Sequence, residues 1–505
     1  MTLHSLLQIG AAQCIAIAAS ERRHLSYESL RRLVDNTVVA LNQFGIRRNE
    51  RVAIVLPNGP EMATAFVAIA CGATTAPLNP GYQKSEFDFY LSDLDAKALV
   101  VETGSDTPAI AAAQDRGIPV IRLRADPSIT GEFTLEAPGE LEVDATVDTP
   151  VFAQQSDVAL VLHTSGTTSR PKIVPLTHGN VCASAANIRT TLNLTADDRC
   201  LNVMPLFHIH GLMAAVVASL SAGASVFCAP GFNALRFFAW LSQAAPTWYT
   251  AVPTMHQAIL TRASRNSAVI EKSALRFIRS SSSSLPPQVM RALEEAFDAP
   301  VIEAYAMTEA AHQMTSNPLP PAERKPGSVG IAAGPEVSVM DEAGTLLSIG
   351  AVGEVVIRGE NVTLGYENNP QANQENFTHG WFRTGDQGVM DEAGYLTITG
   401  RLKEIINRGG EKISPREVDD VLMDHPAVAQ VVTFAMPHEK LGEEVAVAIV
   451  LADGQHASEK DIRRFAAERL ARFKVPRKVL FIDEIPKGAT GKLQRIGLAE
   501  KLGLT

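Results

Sequence analysis

The sequence predicts an α/β protein: a large N-terminal domain of layered sheets and helices, followed by a small α+β C-terminal domain. Three observations carry that prediction. Short apolar runs alternate with amphipathic stretches as far as about residue 399, a βαβ rhythm. Gly400-Arg401-Leu402-Lys403-Glu404 is then strongly charged and reads as a joint. Beyond it, helices with cap signals and short strands make a unit of ordinary domain size. The expected boundaries are therefore 1–399, a hinge at 400–404, and 405–505.

In chain order, Leu6–Ala19 is apolar apart from Gln8, Gly10 and Gln13 and reads as a buried helix. No basic region precedes it, so a signal peptide is not expected. Arg51–Leu56 reads as a strand, Glu61–Cys71 as a helix and Ala98–Val101 as a strand. Val158–Leu162 is a buried strand that empties into His163–Lys172; Ile173–Leu176 is the next strand, and Thr177 can cap a helix after it. Gly394–Thr399 reads as the last strand before the joint. Ser414 as N-cap, Pro415 at N1 and Glu417 at N3 spell a capping box. Val428–Phe434 and Glu444–Leu451 follow as strands, Ser458–Phe473 as a second capped helix and Val479–Ile482 as a strand.

Composition excludes several classes. The 505 residues are 46% hydrophobic, enough for a sizeable core, and no run of about twenty apolar residues reads as a membrane span. Net charge is -10 with no basic cluster, which argues against nucleic acid as a partner. The five cysteines are scattered and odd in number, which fits a reducing compartment better than a disulfide framework. Gly503-Leu504-Thr505 is not a peroxisomal tripeptide, so the cytoplasm is the expected location.

Chemistry concentrates in five places. Thr164, Ser165, Gly166, Thr167 and Thr168, with Lys172 close behind, combine hydroxyls, a close-approach glycine and a cation, which suits a polyphosphate. The run lacks the Walker pattern, and an ordinary polar hairpin reads the same way. Val301–Glu309 ends an apolar strand in Tyr305, Ala306, Thr308 and Glu309: a ring that can stack on a base, a hydroxyl that can donate, and a carboxylate that suits Mg2+. Asp386 follows a glycine turn and can accept two hydroxyls. Arg401 and Lys403 lie in the joint, and Lys492 sits in Pro486–Leu493, which also reads as a plain surface turn.

Together, in this order and spacing, these segments resemble the adenylate-forming superfamily of acyl-CoA synthetases, luciferases and peptide-synthetase adenylation domains, over nearly the whole chain. The resemblance implies ATP, Mg2+ and CoA, with the phosphates on Thr164–Thr168 and Lys172, adenine on Tyr305, and ribose on Asp386. It also implies Thr308 toward a phosphate, Arg401 toward ribose or phosphate, Mg2+ on Glu309, and Lys492 as the adenylation lysine. The small domain would be mobile, turning about Lys403 between two half-reactions. Because the charge of Lys492 is needed, an acyltransferase acting on it would switch off the first step.

Met204–Gly211 resembles the family's acyl-pocket entrance, with His208 and His210; His-x-His has no third ligand to make a zinc site. Ser280–Ser284 falls on the wall between nucleotide and acyl group, so Ser281, Ser282 and Ser283 are expected to line the pocket with His312 and the narrowing methyl of Ala306. Such polarity suits a short acid with a second carboxylate rather than a hydrocarbon chain. Several strings, among them Phe207–Gly211 and Thr247–Thr254, resemble oxalate–CoA ligases, although Ile173 stands where glycine is usual. Other readings are a ligase for malonate or a fatty or aryl acid, an enzyme that loads a carrier protein, a luciferase-like oxygenase, and a nucleotide sensor.

Overall fold

The computed structural model describes residues 1–137, 139, 143–164, 171–486 and 495–504. Among the described residues the strands form four sheets. A seven-stranded sheet is built on the parallel strands Arg51–Val55, Thr74–Pro77 and Ala98–Glu102, with Val158–Thr164 and Lys172–Thr177 as an antiparallel pair at one edge. Helix Pro60–Ala70 makes the crossover between the first two and is buried along its whole length. A nine-stranded sheet contains the parallel strands Arg199–Asn202, Ser225–Cys228, Trp248–Ala251, Phe277–Ser281 and Val301–Met307, with His312–Ser316 antiparallel at one side. Parallel strands are covered on both faces, hence their near-continuous apolar runs. The helix His178–Thr191 and a wide, fully buried turn of π-helix over His210–Val217 lie in the main core.

A five-stranded sheet, Glu336–Met340, Val352–Arg358, Phe377–Thr378, Trp381–Met390 and Leu396–Arg401, leads to the small domain. That domain has its own sheet (Ile406–Arg408, Glu411–Ile413, Val428–His438, Gly442–Leu451, Lys478–Phe481) and its own core around Ile413, Val418, Val447 and Ile462. No described helix is long and apolar enough to cross a membrane.

Thr177 caps His178–Thr191 as expected, with a reciprocal bond from Asn180. Three expectations fail. Leu6–Ala19 is not one helix: Leu3–Leu6 is a single turn, and Ile15–Ala18 is a strand paired with Ser225–Cys228 and Leu25–Ser26. A Cβ at Gly10 would lie 2.4 Å from the Tyr27 ring, so the chain passes there as bare backbone, and sheet pairing overrides the apolar run. The Ser414 capping box does not form. Pro415–Met423 starts where expected, but the Ser414 hydroxyl donates to the Thr399 carbonyl across the joint, and Glu417 is held by Lys474 at 2.6 Å. The second helix stops at Ala467, its Ser458–Asp461 box intact. Phe473 lies instead in a separate short turn, Arg472–Lys474, whose Lys474 pairs with Glu417.

Candidate functional site

The C-terminal ends of parallel strands are where an α/β sheet leaves a crevice. Here the ends of Trp248–Ala251, Phe277–Ser281 and Val301–Met307 meet the start of the π-helix at His210 and the strand His312–Ser316. His210 is fully buried. Its Nε2 lies 2.6 Å from the Thr250 hydroxyl, its Nδ1 3.0 Å from the Ser282 hydroxyl, and its ring stacks on His312 with centroids 5.0 Å apart. His208 turns inward beside it, its Nδ1 accepting from the His210 amide at 3.2 Å. A Cβ on Gly211 would lie 2.5 Å from the Pro205 carbonyl oxygen, so this fold-back needs glycine. Ser282 (φ 75) and His312 (φ 99) both hold left-handed backbone, the kind of strain that gathers at functional sites.

Behind the histidines stands Arg279, also fully buried. Its guanidinium is 3.1 Å from His312 Nε2 and donates to Gln313 Oε1 at 3.2 Å. An arginine can only donate, so His312 Nε2 accepts and that ring carries its proton on Nδ1. Arg279 has no carboxylate within ion-pair distance among the described residues. Burial pulls its pKa down to about 9, which leaves it charged at neutral pH.

The serines divide. Ser282 faces His210; Ser281 donates instead to the Ala304 carbonyl at 2.9 Å. Ser283 is exposed, on a cleft that Arg416 and Asp419 of the small domain also line, and so faces away from the histidine pocket. Ala306 sits on the strand Val301–Met307, opposite Gln313, at an irregularity in the pairing.

The residues expected to face a nucleotide form a second group. Tyr305 donates its hydroxyl to Asp386, and Arg401 Nε meets the other oxygen of that carboxylate at 2.9 Å. Glu309 is buried on the short turn Thr308–Ala310, and Tyr366 donates to its Oε1 at 2.7 Å. Burial raises the Glu309 pKa, opposed by that hydrogen bond and by Lys172 and Arg401. A buried, oriented carboxylate of this kind fits a hard dication such as Mg2+, which takes oxygen ligands. Thr164 pairs with Lys172 at the mouth of the hairpin, and Lys172 Nζ lies 4.4 Å from the Tyr366 ring centroid. Burial lowers the Lys172 pKa, and the charge of Lys403 lowers it further. An acidic chain has thus gathered Lys172, Lys403 and Arg401 in one place.

Ser165, Gly166, Thr167, Thr168 and Lys492 lie outside the described residues. Three residues escaped the sequence reading. Arg279 had only a faint signal, a cation between the apolar pair Phe277-Ile278 and the serine run, with Arg276 three residues before it. Thr250 had a weaker one, a hydroxyl in a buried strand. Tyr366 had none, being 57 residues from the carboxylate it holds.

Known proteins share this plan. The chain matches the model of the AMP-binding enzyme over residues 10–367 and that of the AMP-binding enzyme C-terminal domain over 417–492. It is 46% identical to an oxalate–CoA ligase of Arabidopsis thaliana, covering 95% of this chain and 94% of the relative. An oxalate–CoA ligase of Saccharomyces cerevisiae is 45% identical, over 90% and 87%. ATP-bound MatB of Rhodopseudomonas palustris superposes with a TM-score of 0.88 at 28% identity, over 99% of both chains. Matched by these two models over most of its length, the chain belongs to the AMP-binding enzyme family.

Proposed function

We propose that this ATP-dependent acid–CoA ligase acts on oxalate. The observation that carries the reading is Arg279, a fully buried guanidinium with no carboxylate partner among the described residues, backed by His312 and, through it, His210. One carboxylate of a short diacid reacts; the other answers that charge. A fatty or aryl acid would leave the cation buried against hydrocarbon, which is unfavourable by several kcal/mol, of the order of 2–7 for an unpaired polar group. The two relatives named oxalate–CoA ligases support the same acid.

In the first step a carboxylate oxygen attacks the α-phosphorus of ATP, the bond to the bridging oxygen breaks, and pyrophosphate leaves with that electron pair. Lys172, Thr308 and Thr164 hold the phosphates, Tyr305 faces adenine, and Asp386 with Arg401 holds ribose. Mg2+ on Glu309 offsets charge on the phosphates when bound. Lys492 supplies the ammonium for this step. The small domain then turns about Lys403, and the CoA sulfur attacks the acyl carbon, expelling AMP. Acylation of Lys492 would block only the first step; mass spectrometry of protein from cells tests for it. The cytoplasm, a reducing compartment, fits the five free thiols.

The test is CoA-dependent AMP release with oxalate, malonate, acetate, octanoate and coumarate. Preference for oxalate is expected. Preference for octanoate or coumarate overturns the reading of the pocket; AMP release that ignores CoA overturns the ligase.

A further inference from the structure

Glu309 and Lys172 carry opposite charges and face one site, yet they do not pair: among the described residues Lys172 has no carboxylate within 4 Å. Tyr366 stands between them. Its hydroxyl donates to Glu309 Oε1 at 2.7 Å, and its ring carries the Lys172 ammonium at 4.4 Å from the centroid. We propose that Tyr366 is a positioning residue that holds Glu309 toward the metal and Lys172 toward the phosphates while keeping the two from neutralising each other. This rests on the roles given above to Glu309 and Lys172.

A direct ion pair would occupy the carboxylate oxygens that a cation needs and the N–H groups that phosphate oxygens need. Tyrosine satisfies both partners with neutral groups. The hydroxyl fixes the carboxylate without cancelling its charge, and the ring face attracts the ammonium through its quadrupole. Second partners of this sort tune metal ligands.

The segment that bears Tyr366 is tied to both neighbours. Thr363 N–H donates to the Glu309 carbonyl at 2.7 Å, and Asn361 Nδ2 to the Ala310 carbonyl at 2.8 Å. On the other side, the Thr363 hydroxyl donates to the Pro175 carbonyl at 2.8 Å, and Glu367 N–H to the Ile173 carbonyl at 3.1 Å. Glu367 is itself paired with Arg51 at 2.5 Å. One strap therefore laces the Glu309 turn to the strand Lys172–Thr177, and Tyr366 is its only residue described as touching both charged groups.

The experiment is calorimetric titration of ATP into the full chain across a series of Mg2+ concentrations, for the parent, Y366F, Y366L and E309Q. Y366F keeps the ring and loses the donor. It should need about 10-fold more Mg2+ for half-maximal ATP affinity, while affinity at saturating Mg2+ stays near the parental value. Y366L loses both contacts and should weaken ATP binding at every Mg2+ concentration. If Y366F matches the parent while E309Q shifts, the proposal falls and the role of Glu309 stands. If E309Q matches the parent, the role of Glu309 falls and takes the proposal with it. The near-isosteric Y366F keeps the test clear of misfolding.

Discussion

Arg279 and Arg495 are both drawn out of water, and they meet opposite surroundings. Arg495, in the small domain, has Asp419 at 2.7 Å and Glu404 at 3.3 Å, and donates to the Thr433 carbonyl. The acids around it raise its pKa against the effect of burial. Arg279, in the large domain, has among the described residues an imidazole and an amide as partners, and its pKa falls to about 9. The first is a finished ion network whose work is to hold the segment after residue 494 to the helix Pro415–Met423 and the joint. The second, on the proposed function, is half of an ion pair whose other half arrives with the substrate. Burial alone therefore does not identify a functional cation; the missing neutralising partner does.

Three perturbations sharpen that contrast. R495Q removes one side of a completed pair and leaves Asp419 buried without its cation, which should destabilise the small domain by about 3 kcal/mol. Hydrogen exchange over residues 406–481 reads this, and acid preference should not move. A smaller effect comes from Glu303, a buried acid whose own escape is to protonate. Burial raises its pKa to about 7, and one oxygen accepts from Leu285 N–H at 2.9 Å. The folded state then binds a proton that the unfolded state has released, so this residue favours folding at low pH and loses that contribution as pH rises toward 7. The stability of E303Q relative to the parent should fall by about 2 kcal/mol between pH 8 and pH 5.5; a gap that does not change with pH contradicts this. Smallest is the stability effect of R279M. No acid is orphaned by removing that charge, and relief of a buried cation offsets the donor lost by Gln313 and His312, so the thermal midpoint should change little, and a drop as large as that of R495Q would make Arg279 a structural cation like Arg495.

The overall plan was legible because it rests on local signals: apolar periodicity marked the parallel strands, and the charged Gly400–Glu404 marked the joint. Thr177, Asp386 and Arg401 announced themselves through short patterns whose chemistry is local. Where long-range partners decide the outcome, sequence misled. Ile15–Ala18 becomes a strand because Ser225–Cys228, some 210 residues away, offers an edge. Ser414 gives up its cap for the Thr399 carbonyl, and Ser283 looks across at the small domain although its neighbour Ser282 faces His210. Tyr366 was silent for the same reason, and Arg279 nearly so, since a bridging hydroxyl and an absent ion pair are properties of packing.

On the proposed function, Arg279 selects the acid by answering a second carboxylate. The most direct measurement is the ratio of kcat/KM for oxalate to that for acetate in the parent and in R279M. The account predicts that the ratio falls about 100-fold, the equivalent of roughly 2.7 kcal/mol, because only oxalate loses a partner. An unchanged ratio, with both acids weakened alike, would contradict it.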